Sequence, residues 1–122
     1  MKIADFYDLN AWKESHNLTL QIYKLTTKFP SSEKFGITDQ LRRASSSISA
    51  NIAEGFGRYH YKDKIKFYYQ ARGSIKEVQN FIFLAKDLGY LKEDKSKELW
   101  LITKDCERLI NGLIKSANNQ NR

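Results

Sequence analysis

Apolar residues recur along this chain at intervals of three and four over four long stretches, with polar clusters between them. In the first, Leu18, Ile22, Leu25 and Phe29 follow at steps of four, three and four, the spacing that lines one face of an α-helix. It predicts a helix over about 10–28 with Asn10 as its N-cap. In the second, Leu41, Ala44, Ile48 and Ile52 share a side, predicting a helix over about 38–57. The third is the most regular. Tyr68, Ala71, Ile75, Val78, Ile82 and Ala85 keep strict three-four spacing within a helix predicted over about 63–88, which Gly89 is placed to stop. The fourth carries Leu99, Ile102, Cys106, Leu109 and Leu113 in heptad spacing, over about 94–117. The breaks fall at Phe29–Gly36, which holds the only proline, Pro30; at Gly55–Tyr61, whose two glycines read as a helix terminator; and at Leu88–Asp94. Four amphipathic helices with short connections predict an all-α fold, an antiparallel up-down four-helix bundle forming a single domain over 1–122.

The apolar faces are wider than one bundle core needs. A second row on the third helix, Phe67, Ser74, Phe81 and Leu88, repeats at steps of seven, and Trp12 and Tyr23 flank the stripe of the first helix. Trp12, Tyr23, Phe67, Phe81 and Leu88 are therefore expected to meet another copy of the chain. A thick, aromatic-rich monomer core is the other reading of the same pattern.

Composition narrows the class. The 122 residues are 41% hydrophobic and 13% aromatic, enough to fill a core, which excludes disorder. There is no run of 18 apolar residues to span a membrane, and MKIADFYDLN has acids where a signal peptide needs an apolar run. The single cysteine, Cys106, fits a reducing cytoplasm and lies on an apolar seam, where it reads as a packed thiol. The formal charge of +7 favours an acidic partner. It is spread over the folded segments, with net +1 in 1–35, +1 in 36–60, +3 in 61–88 and +2 in 89–122.

Catalytic apparatus is missing from the sequence. His16 and His60 are the only histidines, and neither follows a carboxylate by three residues as a di-iron bundle requires. No HExxH, paired CxxC or phosphate-cradling loop occurs, and neither histidine has a partner for a nucleophile triad. No enzyme, cofactor or metal is expected. Three polar constellations remain. On the second helix Gln40, Arg43, Ser47, Asn51, Glu54 and Arg58 fall at steps of three and four, within about 80° of the wheel beside the apolar stripe. They are expected to form a structural hydrogen-bond and ion-pair network that sets the register of helices or subunits. A ligand or nucleic-acid contact and an ordinary solvated face are the alternatives. Two basic rows lie away from the core: Lys62, Lys66, Tyr69, Arg72 and Lys76 on the third helix, and Lys97, Lys104, Arg108 and Lys115 on the fourth. Cations along a rigid helix can follow a phosphate backbone, with Tyr69 stacking on an unpaired base; a solvated face is the plain alternative. The loop Gly57–Lys62 adds two tyrosines, a histidine and two cations beside the first row.

Particular residues carry a family likeness. Phe29-Pro30, Gln40-Leu-Arg-Arg-Ala44, Ser47-Ile48, Asn51-Ile-Ala-Glu-Gly55, Gly57-Arg58, Ala71-x-Gly-Ser-x-x-Glu77 and Leu88-Gly-Tyr-Leu91, with Trp12 and Tyr23, closely resemble the four-helix bundle proteins of the 23S rRNA intervening-sequence family. The resemblance covers residues 9–115; Ser45-Ser46-Ser47 is a mild departure from it. It implies a bacterial, cytoplasmic bundle that associates into rings, typically homopentamers, with no established catalytic activity. A related branch resembles the accessory proteins of diversity-generating retroelements, which contact nucleic acid and a reverse transcriptase. The expectation is a non-enzymatic, ring-forming basic protein that binds nucleic acid, RNA before DNA. An oligomeric protein-interaction scaffold is the alternative.

Overall fold

A computed structural model describes residues 2–121 and contains four α-helices: α1 (Asn10–Thr26), α2 (Ile37–Gly57), α3 (Tyr61–Asp87) and α4 (Glu93–Gln120). Short 3-10 turns at Phe6–Asp8 and Ser31–Glu33 precede α1 and α2. Each helix packs on its sequence neighbour and α4 closes back on α1, while the diagonal pairs lie farther apart across the core. Directions follow from the cross-links. Ser47 of α2 pairs with Ser74 of α3, and Gly55 lies against Tyr68. Arg72 and Gln79 of α3 reach Asn111 and Thr103 of α4. Rising numbers on one helix thus meet falling numbers on the next, and the fold is the antiparallel four-helix bundle that the periodicity predicts.

The helix boundaries shift by a few residues, each for a local reason. Asn10 is the first helical residue and not a cap; the extended residue before α1 is Leu9. The turn ahead of it is held by an exchange in which Asp5 Oδ1 accepts from the Phe6 amide and Asp8 Oδ2 from the Asp5 amide. α1 ends at Thr26 because the chain tightens to i−3 hydrogen bonds at Lys28 and Phe29. α3 begins two residues early, at Tyr61, so only Arg58, Tyr59 and His60 connect it to α2, and Tyr61 and Lys62 lie in its first turn. Its far end is a Schellman closure around Gly89, φ +82°, with Gly89 donating to the Lys86 carbonyl and Tyr90 to that of Ala85. α4 runs on to Gln120.

Gly55 is not a terminator. It is a buried residue inside α2, and a Cβ there would lie 2.7 Å from Cε1 of the buried Tyr68 ring. Glycine is what lets α2 and α3 approach at this point. Gly55→Ala, which improves helix propensity by about 1 kcal/mol, is expected instead to destabilise by about 1–3 kcal/mol through overpacking. Chemical denaturation checks the sign, and an alanine variant as stable as wild type would refute the contact argument.

Leu18, Ile22, Leu41, Ile48, Ile52, Ile75, Val78 and Ile110 fill the core. On α4 the expected seam is corrected. Leu99 and Cys106 are buried, but Thr103, Ile110 and Ile114 occupy the centre, while Ile102, Leu109 and Leu113 are only partly buried at its edge. The helix is turned by one position because Thr103 is made acceptable to the core by hydrogen bonds. Its hydroxyl donates to the Trp100 carbonyl at 2.6 Å and accepts from Gln79 Nε2 at 3.1 Å. Cys106 is the packed thiol expected, its pKa pushed up to about 11, chiefly by burial. Thr103→Val, which strands the Gln79 amide, is expected to cost about 1–3 kcal/mol. Adding Gln79→Met removes the stranded group and should recover much of that loss. A double-mutant cycle from urea midpoints tests this, and strictly additive costs would show that the two side chains do not act as a pair.

Candidate nucleic-acid interface

The same α3–α4 contact gathers the two basic rows. Arg72 Nη1 donates to Asn111 Oδ1 at 3.0 Å. One turn along, Lys76 Nζ lies 2.9 Å from Glu107 Oε2, and Lys104 Nζ lies 2.9 Å from Glu107 Oε1. Lys76 also donates to Gln79 Oε1 at 3.2 Å, so a hydrogen-bond chain runs from the surface ammonium through Gln79 and Thr103 into the core. The Glu107 side chain is 15% exposed, against 61% and 49% for its lysines. The carboxylate therefore sits low between two outward-facing ammonium groups, each with donors to spare. Lys62, Lys66, Lys97, Arg108 and Lys115 are exposed and form no ion pair among the described residues. Arg72, Lys76 and Lys104 thus lie together across the α3–α4 contact, whereas Arg108 is set towards α1, where it borders a shallow recess with Asn10, Lys13, Glu14 and Asn17.

Tyr69 differs from expectation in its surroundings. It is half exposed, and the Arg72 guanidinium lies 4.7 Å from its ring centroid, so one face is covered by a cation. The freer aromatic near this face is Tyr59 in the α2–α3 connection, 89% exposed. It borders a recess with His60, Tyr61, Lys62, Asp63 and Asn121, at the end of the bundle where α4 finishes.

The polar row of α2 divides. Ser47 and Asn51 are part-buried and linked: Ser47 Oγ meets Ser74 Oγ at 2.9 Å, and Asn51 Nδ2 donates to the Ser47 carbonyl at 2.8 Å. Gln40, Arg43, Glu54 and Arg58 are exposed. Arg43 pairs with Asp39 on its own helix, and Arg58 lies over the Phe67 ring at 4.5 Å. Gln40, Arg43, Ser47 and Glu77 border a shallow recess with Phe81 between α2 and α3. Among the other apolar candidates, Phe81 and Phe67 are partly buried and Leu88 is exposed. Trp12 is partly buried and stacks on His16, with centroids 4.6 Å apart. Tyr23 is exposed beneath the Arg42 guanidinium at 4.6 Å.

Sequence reasoning passed over several anchoring side chains. Arg42 donates to Thr26 Oγ1 at 2.8 Å and to the Tyr23 carbonyl, closing the C-terminal turn of α1. Lys64 donates to the Phe56 carbonyl at 2.6 Å and caps α2; burial holds its pKa below the usual lysine value. Glu107 lies three residues beyond Lys104, just off the basic row, and that i, i+3 spacing was the available signal. Phe83, Trp100 and Leu101 form an apolar notch between α3 and α4, taken up below. Among the described residues no group of three or more His, Cys, Asp or Glu could hold a metal ion, and no helix is long and apolar enough to cross a membrane.

Hydrogen bonds from Lys104 and Lys76 hold the Glu107 carboxyl below its ordinary pKa of 4.5. A carboxylate with a lowered folded-state pKa contributes stability above its unfolded value, and that contribution is lost as pH falls through the lowered one. Glu107→Gln is therefore expected to cost roughly 0.2–1 kcal/mol near neutrality, the range for exposed pairs. The gap to wild type should close as pH drops below 4.5. Stability measured down the acid limb decides: a gap that stays constant removes the charge from the explanation.

A family model described as 23S rRNA-intervening sequence protein matches residues 7–112. A solved structure of a protein of unknown function from the S23 ribosomal protein family of Bacteroides thetaiotaomicron has a similar fold. It is 19% identical with a TM-score of 0.79, covering 86% of this chain and 95% of that one. Among curated proteins none matches.

Proposed function

Since the chain belongs to the 23S rRNA-intervening sequence protein family, we propose that it is a non-enzymatic, ring-forming cytoplasmic protein that binds RNA along the α3–α4 face. The observation that supports this reading is that the two basic rows meet at the α3–α4 contact, through Arg72–Asn111 and the Lys76–Glu107–Lys104 triple. Cations anchored at fixed spacing along a rigid face match a phosphate backbone, and each phosphate neutralised releases counterions. Arg72 and Lys76 are held in place before the ligand arrives, so less side-chain freedom is lost on binding. Assembly into a homopentamer would bring five such faces together with a summed charge of about +35, five times +7. The partly buried Phe67 and Phe81, with the exposed polar residues of α2, are the surface offered to a neighbouring copy.

Fluorescence anisotropy of labelled single-stranded and hairpin RNA at about 50 and 200 mM salt tests the reading. Binding is expected at the lower salt, with log K falling by about 0.7 per phosphate contacted for each tenfold rise in salt. Replacing Lys97, Arg108 and Lys115 together by Gln should reduce that slope by about two. No binding at the lower salt would sink the nucleic-acid reading and favour the protein scaffold. Light scattering after gel filtration tests the ring: a particle of five 14.3 kDa subunits is expected, and a monomer at micromolar concentration would end that part of the proposal.

A further inference from the structure

Near the α3–α4 connection, α3 and α4 enclose a notch with a cavity volume of about 320 Å³. Phe83, Trp100 and Leu101 form its walls, and Lys86, Lys97 and Glu93 stand among the lining residues. The Phe83 and Trp100 rings meet edge-to-face with centroids 5.3 Å apart. Phe83 and Leu101 remain 52% and 64% exposed, an apolar surface that the fold itself leaves uncovered. Lys86 and Lys97 form no ion pair among the described residues.

We propose that this notch captures one unpaired base of a single-stranded nucleic acid whose backbone lies along the α3–α4 face; the proposal rests on the RNA-binding reading above and gives it a strand preference. Three features select this occupant. The volume lies at the small end of ligand sites, about 300–1,000 Å³, and suits one flat ring system. An apolar, aromatic wall bordered by unpaired cations is complementary to a base with its phosphate, which combines a π-face with negative charge. The notch also adjoins a basic row, since Lys97 and Lys104 belong to the same row of α4 and Lys104 Nζ lies 6.0 Å from the Trp100 ring centroid. A duplex keeps its bases stacked and cannot enter, so the notch discriminates by strandedness.

The test uses the full chain with labelled oligo(C), oligo(A), oligo(U) and an RNA duplex in anisotropy. Wild type is expected to bind the single-stranded oligonucleotides more tightly than the duplex. Phe83→Ala and Leu101→Ala alter exposed side chains, so the fold should persist, which circular dichroism verifies. Each should weaken single-strand binding by about fivefold to a hundredfold, the range for loss of one stacked base, with duplex affinity and salt slope unchanged. In a Trp12→Phe background, cytidine monophosphate should quench the remaining Trp100 fluorescence. Variants that bind every oligonucleotide as wild type does, while wild type itself binds, would overturn the notch and leave the basic-face reading standing. Wild type that binds none at low salt would overturn both. Variants that change subunit number without changing single-strand affinity would assign the notch to a second copy of the chain and overturn base capture.

Discussion

Gln79 and Thr103 meet in the buried part of the contact between α3 and α4, and their hydrogen bond at 3.1 Å fixes how the two helices sit against each other. A buried amide has few acceptable partners, and sliding or turning either helix would leave it unpaired at a cost of about 1–3 kcal/mol. The bond continues in both directions. Thr103 donates to the Trp100 carbonyl, and Gln79 accepts from Lys76, whose ammonium also holds Glu107. The register that satisfies the core is thus the register that sets Arg72 opposite Asn111 and places Lys76 and Lys104 on one carboxylate. Core specificity and surface charge are two ends of one chain of contacts.

The bundle ends are secured differently. None of the four α-helices has a side-chain hydrogen bond from its N-cap residue. Long side chains from neighbouring helices do the tying instead. Arg42 closes α1, Lys64 caps α2, and the Tyr90 hydroxyl donates to Glu33 Oε2 at 2.9 Å, joining the α3–α4 connection to the α1–α2 connection. Three of the chain's basic or phenolic groups are thereby spent on structure. Lys62, Lys66, Lys97, Arg108 and Lys115 of α3 and α4 take no part in this tying and remain exposed.

Much of the fold is legible in the sequence because burial imposes a period. Every residue of the α3 stripe from Tyr68 to Ala85 that spacing assigns to the core is buried, as are Leu41, Ala44, Ile48 and Ile52 of α2. The period fails on α4, where an apolar Ile102 stands beside a polar Thr103 and hydrophobicity alone chooses the wrong one. It fails again at Gly55, because a glycine that ends a helix and a glycine that admits a neighbouring helix look the same in one dimension. The basic rows are legible as rows, but their union is not. Helical spacing says which residues share a face of one helix and says nothing of which face of the next helix lies beside it.

The sequence by itself determined four amphipathic helices, their order, the greater part of their apolar faces, the family and the excess of positive charge, since each of these follows from local spacing and composition. Tertiary structure decided the rest. It turned α4 until Thr103 could bond Gln79, brought Glu107 between two lysines, covered one face of Tyr69 with Arg72, and left Phe83 and Leu101 open beside Lys97. These are relations between helices, fixed by packing and by satisfying buried polar groups, and no interval along a single helix encodes them.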